Sequence, residues 1–184
     1  MTTLTRQLSP EKYLAATISV GGHDVDVHNA HLPPGSTRGV IKVHAFEAIR
    51  RRIESDNSRP RILCGDFNTP RSEADGDVET WAGTAEPSLR ARWDAAERSV
   101  LRNPDMPDAY RQLRTLGDPF PVSHTTRGIS RRYDHIYASC DLAPTRCEYL
   151  TEPLEHRLSD HAPVFACFMR GSPTSAGTAR AFAS

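Results

Sequence analysis

The sequence predicts an α/β domain of the α+β kind with a mostly antiparallel sheet. It opens with a hairpin, and near its end strands follow one another without intervening helices. Apolar residues alternate from Tyr13 to Val20, which is typical of a strand, and Gly21-Gly22 then provides a turn. Residues 23–32 continue as a second strand, whose period of two places Asn29 and His31 on the same face.

Helices are predicted in three segments. Ser36 is suited to cap the first, because its hydroxyl can accept from a free backbone N–H, and apolar residues follow at helical spacing as far as Ile53. A second helix is predicted over residues 89–101 and a short third one over 108–116.

Short apolar runs predict the remaining strands. Residues 62–64 and 163–169 are continuous apolar runs, which is typical of buried strands. Residues 133–138 and 147–150 predict two further strands, and residues 69–84 predict a polar loop.

Composition sets limits on the function. The chain of 184 residues is long enough for one domain, and its 23 basic and 23 acidic residues give no global argument for nucleic-acid binding. The four cysteines are too widely spaced for a zinc ribbon and are expected to be free thiols: Cys64, Cys140, Cys147 and Cys167.

The expected organisation is a single domain with loose ends. We expect a lead-in over residues 1–12, a domain over 13–170 and a disordered tail over 171–184. Neither a signal peptide nor an apolar stretch long enough to span a bilayer is visible, so the expected location is cytoplasmic.

Polar residues gather at the ends of four predicted strands. Strand ends in one sheet tend to meet at one edge, so these residues are expected to converge. The four groups are Asn29 with His31, Asp66 with Asn68, Asp134 with His135, and Asp160 with His161.

These residue types suit phosphoester chemistry. Carboxylate and amide oxygens are ligands that Mg²⁺ or Mn²⁺ prefers, and hydrolysis of a phosphodiester needs charge neutralisation and an activated water. His161 is suited to contact a phosphate oxygen, or to act as an acid or base, with Asp134 orienting its ring. Each feature also has a structural explanation: Asp66 and Asn68 are typical of a turn after a strand, and His31 is compatible with a core histidine.

The same segments resemble the motifs of one superfamily. His31-Leu32 after a V-x-V strand is similar to an N-x-H-L segment, and residues 65–68 are similar to a G-D-F-N signature. Residues 133–136 resemble an R-x-D-x-I/Y segment, and residues 159–164 resemble an S-D-H-x-P-V ending. Together they resemble the C-terminal portion of the endonuclease/exonuclease/phosphatase superfamily, which includes exonuclease III-like and deoxyribonuclease-like metal-dependent phosphodiesterases.

The resemblance implies catalytic roles. Asp66 would activate the attacking water, and Asn68 would hold the nucleophile or a phosphate oxygen. His161, oriented by Asp134, would contact the phosphate, and His31 would stabilise the phosphate or the leaving group.

It also implies binding roles and a cofactor. Asp160 and Asp66 would hold Mg²⁺ or Mn²⁺, and the substrate would be a phosphoester, with DNA as one candidate. Weaker candidates for phosphate contacts are Asn29, His124 and Arg131, the last within a basic run that also holds Arg127 and Arg132 and is equally explained as a solvated loop.

One short segment resembles the exonuclease III branch of the superfamily. Residues 108–111 are similar to its D-A-F/Y-R stretch, but a helix start capped by Asp108 explains them equally well. A zinc site of His23, His28 and His31 is disfavoured, because their spacing on a strand does not place all three on one face.

The implied fold is part of a four-layer α/β/β/α sandwich. The superfamily's N-terminal strands and metal-binding glutamate have no counterpart before Tyr13, so the N-terminal portion is expected to be missing. A misassigned start, a second polypeptide and a degenerate remnant are the three explanations. A half-sandwich would expose an apolar sheet face, so we expect a second chain or self-association to complete it. The alternative function is a weakly active or inactive binding module.

Overall fold

The computed structural model of the chain describes residues 12–34, 39–55 and 58–171. The lead-in before Lys12, the tail after Gly171 and the proposed cap Ser36 lie outside these residues. Within the described ranges, no helix has both the length and the apolar character that crossing a bilayer requires.

Strands and helices alternate along the chain. The strands are β1 (Tyr13–Val20), β2 (His23–His31), β3 (Arg61–Asp66), β4 (Ser72–Glu73), β5 (Val78–Glu79), β6 (His124–Thr126), β7 (Ile129–Arg131), β8 (Asp134–Ala138), β9 (Leu142–Tyr149) and β10 (Val164–Arg170). The helices are α1 (Gly39–Glu54), α2 (Pro87–Leu101), α3 (Ala109–Leu113) and α4 (Glu152–Glu155), with a 3₁₀ turn at Trp81–Thr84.

The main sheet has the strand order β1-β2-β3-β8. Its pairs β1–β2 and β3–β8 are antiparallel, and β2–β3 is parallel because α1 connects the two strands. The remaining pairs, β4–β5, β6–β7 and β9–β10, are antiparallel ribbons. The predicted α/β class with a mostly antiparallel sheet is confirmed.

The core lies between one face of the main sheet and the helices α1 and α2. Leu63 and Phe67 from β3 and its following turn are fully buried there, beside Tyr137 of β8. The helices contribute side chains at helical spacing, which are Val43, Phe46, Ile49 and Ile53 from α1 and Trp93, Ala96 and Val100 from α2. Burying each large apolar side chain contributes about 1.5–3 kcal/mol, so this layer carries most of the stability.

The opposite face of the main sheet is apolar and open. On β1, Leu14 is 66%, Ile18 45% and Val20 61% exposed. On β2, Val25 pairs with Ile18 and Val27 pairs with Ala16 of the same face, and both valines are half-buried. The structure thus has the exposed apolar sheet face that the sequence predicts for an incomplete sandwich.

Three sequence predictions need correction. The run over 163–169 was expected to be buried, but among the described strands β10 pairs with β9 alone, and Phe165 and Met169 are exposed. The strand predicted over 147–150 begins earlier, at Leu142. The loop over 69–84 contains the β4–β5 ribbon, which side-chain bonds from Arg71 and Ser72 to Glu79 hold together rather than any apolar pattern.

The short third helix begins at an aspartate cap, as the structural explanation of residues 108–111 requires. Asp108 Oδ1 accepts the backbone N–H of Arg111 at 3.0 Å. The Arg111 guanidinium donates to Glu73 instead of facing solvent. All four cysteines are free, as expected.

A buried network of charges joins α3, the β4–β5 ribbon and β8. Arg132 donates to both oxygens of Glu73 at 2.7 Å and to Asp108 Oδ2 at 2.9 Å. His135 Nδ1 lies 2.9 Å from the same Asp108 oxygen, and its Nε2 lies 3.0 Å from the Thr69 carbonyl. The ring thus links the Asp108 carboxylate to the loop after β3. Arg132 is therefore an internal counter-ion, and its proposed role in the basic phosphate-binding run is wrong.

The same network keeps Asp108 ionised. Burial works against its negative charge, but Arg132 and His135 outweigh that effect and hold the pKa of the Asp108 carboxyl well below its usual range. An aspartate in the unfolded chain has a pKa of about 3.9. The stabilisation that ionised Asp108 contributes is therefore fully present above this pH, and it is lost as the pH falls towards the lower pKa of the folded state.

We therefore expect Asp108→Asn to lower the free energy of unfolding at pH 7 by about 3–5 kcal/mol, since it removes the buried negative charge that Arg132 and His135 contact. The difference from the wild type should narrow at pH 3. Urea unfolding at both pH values measures this. Asp105→Asn, at an exposed position of the preceding loop, is the matched control and should change stability by less than about 0.5 kcal/mol. A constant difference at both pH values would contradict the prediction.

Candidate active site

The pairing of three strands aligns the first three site residues. His31 at the end of β2 lies opposite Asp66 at the end of β3, and Asp66 lies opposite Asp134 at the start of β8. His31 Nε2 is 3.7 Å from Asp66 Oδ2. The expected convergence of polar residues at one sheet edge is therefore present in the structure.

A glycine permits this alignment. Gly65 has φ +131°, and a Cβ at this position would lie 2.0 Å from the Ala30 carbonyl oxygen and 2.7 Å from Asn29 Oδ1. Any larger residue would force β2 and β3 apart. The Asn29 side chain therefore lies over Gly65, the residue that precedes Asp66.

Asp66 and Asn68 form a tight turn after β3. Asp66 Oδ1 accepts the Asn68 backbone N–H and Oδ2 accepts the Asn68 side-chain amide, both at 2.8 Å. Asn68 Nδ2 also donates to the Leu32 carbonyl at 3.0 Å, and its backbone is left-handed with φ 49°, a conformation that asparagine tolerates. The turn predicted as the structural explanation is thus real, and it holds the carboxylate in one orientation.

The environment of Asp66 favours its protonated form. Burial raises the pKa of the carboxyl, the Asn68 backbone N–H opposes the rise, and the negative charge of Asp134 adds to it. A carboxyl group whose pKa lies above its usual range is better matched to accept a proton near neutral pH.

Buried groups on the helices hold the carbonyl of Asn68. Lys42 Nζ donates to that oxygen at 2.7 Å and Trp81 Nε1 donates at 3.0 Å. Lys42 is fully buried and pairs with the buried Glu97 at 3.6 Å. Glu97 also accepts from the Thr69 hydroxyl at 2.8 Å. Burial lowers the pKa of Lys42 to about 8, with Glu97 opposing. The helices thus fix the turn from behind.

The second half of the site is an aspartate–histidine pair. His161 Nδ1 lies 2.7 Å from Asp134 Oδ2, which matches the predicted orienting contact. Burial opposes charge on the His161 ring, but the hydrogen bond and the charge of Asp134 outweigh burial and raise the pKa of His161. Its Nδ1–H is therefore directed to Asp134, and Nε2 remains for a ligand.

A buried serine positions this pair. Ser123 Oγ accepts the backbone N–H groups of Tyr133 at 2.8 Å and Asp134 at 3.1 Å. The Ser123 carbonyl accepts the N–H of Ala162 at 2.7 Å. One residue therefore fixes both the start of β8 and the segment that carries His161.

His124 lies directly against His161. The two ring centroids are 4.4 Å apart, the two backbones form an isolated bridge, and His124 Nδ1 lies 2.9 Å from the Asp160 carbonyl oxygen. Among the described residues, His124, Asp160 and His161 form a group whose ligand atoms lie within 4.8 Å of one another.

Two predicted site residues behave differently. Arg131 donates to the Arg71 carbonyl at 3.0 Å and lies over the Trp81 ring, so these contacts direct it to the neighbouring loop. Asp66 and Asp160 were predicted to share a metal; among the described residues, Asp66 is not part of the close group of His124, Asp160 and His161, and both its oxygens accept from Asn68.

Sequence inspection missed Lys42, Glu97 and the positioning role of Ser123. A signal for the first two exists, because each is a charged residue on the apolar face of its helix: Lys42 lies four residues before Phe46, and Glu97 four residues after Trp93. Ser123 has no such signal, since its role depends on contacts that are distant in the sequence.

Comparison with known proteins identifies the family. The model of the Endonuclease/Exonuclease/phosphatase family matches residues 10–161, which is most of the chain. Members of this family are phosphodiesterases, nucleases and phosphatases. The chain belongs to the Endonuclease/Exonuclease/phosphatase family, and no curated protein sequence matches it.

Solved structures share the fold at low identity. D. rerio TDP2 complexed with single strand DNA product is 14% identical with a TM-score of 0.59, over 85% of this chain and 61% of that one. The Xenopus laevis APE2 catalytic domain is 17% identical with a TM-score of 0.58, over 79% and 50%. The Bacteroides thetaiotaomicron mannosyl-6-phosphatase is 18% identical with a TM-score of 0.52, over 81% and 52%. The chain spans about half to three fifths of each of these proteins.

We predict that Lys42→Met lowers the free energy of unfolding by about 3–5 kcal/mol, because it leaves Glu97 as an unpaired buried charge. It also removes one donor from the Asn68 carbonyl. Urea unfolding measures the change. Arg50→Met removes an exposed i,i+4 pair with Glu54 on the same helix and is the matched control, with an expected change below about 0.5 kcal/mol. Equal effects of the two substitutions would contradict the assigned role of Lys42.

Proposed function

We propose that this chain hydrolyses phosphoester bonds and is a metal-dependent phosphodiesterase or nuclease-like hydrolase. The observation that supports this best is the Asp134–His161 hydrogen bond at the sheet edge that also carries Asp66 and His31. Membership of a family of phosphodiesterases, nucleases and phosphatases supports the same class of reaction.

In the proposed reaction Asp66 accepts the proton of the attacking water. Its raised pKa favours proton transfer near neutral pH, and the two bonds from Asn68 keep its carboxylate in a fixed orientation. Lys42 and Trp81 donate to the Asn68 carbonyl and so hold the turn that carries Asp66 in place from the core side. A held base lowers the entropic cost of reaching the reactive arrangement.

His161 contacts the phosphate in the same proposal. Its Nδ1 is bonded to Asp134, and its raised pKa favours the charged ring, so Nε2 donates to a non-bridging oxygen on which negative charge develops. His31, whose side chain is 59% exposed, stabilises the phosphate or the leaving group from the opposite side of Asp66.

The proposed cofactor is Mg²⁺ or Mn²⁺, held by Asp160 and Asp66. When bound, such an ion would neutralise phosphate charge and lower the pKa of a water ligand. The exposed Asp160 carboxylate fits this role, because a hard cation prefers anionic oxygen. Asp66 fits less well, since Asn68 already donates to both of its oxygens.

The substrate proposal rests on the relatives and on a groove. One relative is a structure with a single-strand DNA product and another is a mannosyl-6-phosphatase, so both DNA and small phosphoesters are candidates. A groove of about 360 Å³ between the β4–β5 ribbon and the β6–β7 hairpin is lined by Arg71, Phe120, Ile129 and Arg131. We propose that it accommodates the part of the substrate beyond the scissile phosphate.

An alternative is a weakly active or inactive chain that acts as a binding module. The observation in its favour is that Asn68 already donates to both oxygens of Asp66, the proposed base and metal ligand. In that case the residues of the site would still recognise phosphate without turning it over.

We expect the purified chain to hydrolyse bis-p-nitrophenyl phosphate or single-stranded DNA when Mg²⁺ or Mn²⁺ is added. His161→Ala should lower the rate about 100-fold or more, because it removes the group that Asp134 orients towards the phosphate. EDTA should abolish the activity.

His156→Ala is the matched control for this measurement. His156 is exposed and follows α4 in the same loop, so its removal should leave the rate within about twofold. If neither the wild type nor the control turns over any substrate, the hydrolase proposal fails and phosphate binding by the wild type becomes the test of the alternative.

We also propose that a second copy of the chain covers the apolar sheet face. The face is formed by β1 and β2 side chains that are free of charge along the strand centres, including Leu14, Ile18 and Val27. A face of this kind is complementary to itself, and a two-fold pair brings the same patch of each copy together. Closing the face would remove its apolar area from water.

We expect the wild type to sediment as a dimer, and Ile18→Lys to shift it towards monomer, since a charge would be buried at the centre of the patch. Analytical ultracentrifugation over a range of concentrations measures the mass. Leu116→Lys is the control, because Leu116 is 79% exposed and lies off the sheet. A wild type that remains monomeric at all concentrations would refute self-association and favour a different polypeptide as the partner.

A further inference from the structure

Two histidines, His124 and His161, lie against each other at the rim of the site, a contact that the sequence motifs do not predict. The ring centroids of His124 and His161 are 4.4 Å apart with an interplanar angle of 31°. A bridge between their backbones holds the two residues together. Two imidazoles this close either stack for structural reasons or share a ligand.

The hydrogen bonds of the two rings favour a shared ligand. His161 Nδ1 lies 2.7 Å from a carboxylate oxygen of Asp134, and His124 Nδ1 lies 2.9 Å from the carbonyl oxygen of Asp160. Both partners only accept, so each Nδ1 carries a hydrogen and each Nε2 is left with a lone pair in the neutral ring. Metal-binding histidines typically show this arrangement, with the second nitrogen donating to a carboxylate or a backbone carbonyl.

A carboxylate completes the group. Asp160 is exposed, and one ligand atom from each of His124, Asp160 and His161 lies within 4.8 Å of the other two. Zinc–nitrogen bonds are about 2.0–2.1 Å long, so ligands of one ion lie roughly 3.3 Å apart and the ligand atoms would converge by up to about 1.5 Å on binding. The exposed position of Asp160 leaves room for this movement.

We propose that His124, Asp160 and His161 bind a first-row transition metal ion of the Zn²⁺ type. Two imidazoles and one carboxylate suit Zn²⁺ or Co²⁺, whereas Mg²⁺ prefers oxygen ligands. Three protein ligands leave a coordination position open, as in catalytic rather than structural zinc sites. This site differs from the Asp66–Asp160 arrangement, because it excludes Asp66 and depends on His124.

Binding at this site would change the role of His161. When the ion takes Nε2, that nitrogen no longer donates to a phosphate oxygen, so the ion and a direct His161–phosphate contact exclude each other. The proposed metal site is independent of the proposed hydrolysis, because metal binding can be measured without substrate and without turnover.

The test is titration of the purified full chain with Co²⁺ and then Zn²⁺. We expect one Co²⁺ per chain with visible d–d absorption, displaced by Zn²⁺ but not by Mg²⁺. His124→Gln and Asp160→Asn should each weaken Co²⁺ binding at least tenfold, and Asp134→Asn should weaken it about tenfold through the orientation of His161. His156→Gln, at an exposed position in the same loop, is the control and should bind as the wild type does.

A second measurement needs no variant. In ¹⁵N-labelled wild type, Zn²⁺ should shift the Nε2 resonances of His124 and His161 and leave those of His156 in place. Absence of Co²⁺ binding, unchanged binding by His124→Gln, or unshifted His124 resonances would each overturn the proposal. Loss of hydrolysis with metal binding intact would instead count against the proposed function alone.

Discussion

The close approach of β2 and β3 at Gly65 is the constraint on which the site depends. A side chain at this position would collide with the Ala30 carbonyl, so the parallel register of the two strands requires glycine. That register places His31 opposite Asp66, and the antiparallel register on the other side of β3 places Asp134 opposite Asp66. The central strand therefore aligns three candidate site residues through backbone geometry alone.

Two buried supports then orient what the strands align. Behind the Asp66 turn, Lys42 and Trp81 donate to the Asn68 carbonyl from the helix layer. Behind the Asp134–His161 pair, Ser123 bonds to the start of β8 and to the residue after His161. Each support is costly to break because its polar groups are buried and have no water to replace the lost partner. The stability of the core and the geometry of the site are thus determined by the same groups.

Much of this arrangement was predictable from sequence because it depends on local patterns. The β1–β2 hairpin, the helices α1 and α2 and the convergence of His31, Asp66 and Asp134 follow from periodicity and from polar residues at strand ends. The exposure of β10 was not predictable, because burial of an apolar strand depends on what lies beside it and β10 has a partner on one side only. The burial of Arg132 was missed for the same reason, since Glu73 and Asp108 are distant in sequence.

The site draws its groups from almost the whole length of the described chain. His31 lies at the end of β2, Asp66 at the end of β3, Asp134 at the start of β8 and His161 in the segment before β10. Contacts between residues so far apart in sequence require long loops to close, and each closure costs conformational entropy. No single hairpin or helix pair holds a working subset of these groups. A chain interrupted during synthesis before His161 would carry the turn and the core but an incomplete site, so the chemistry of this site is coupled to the completion of folding.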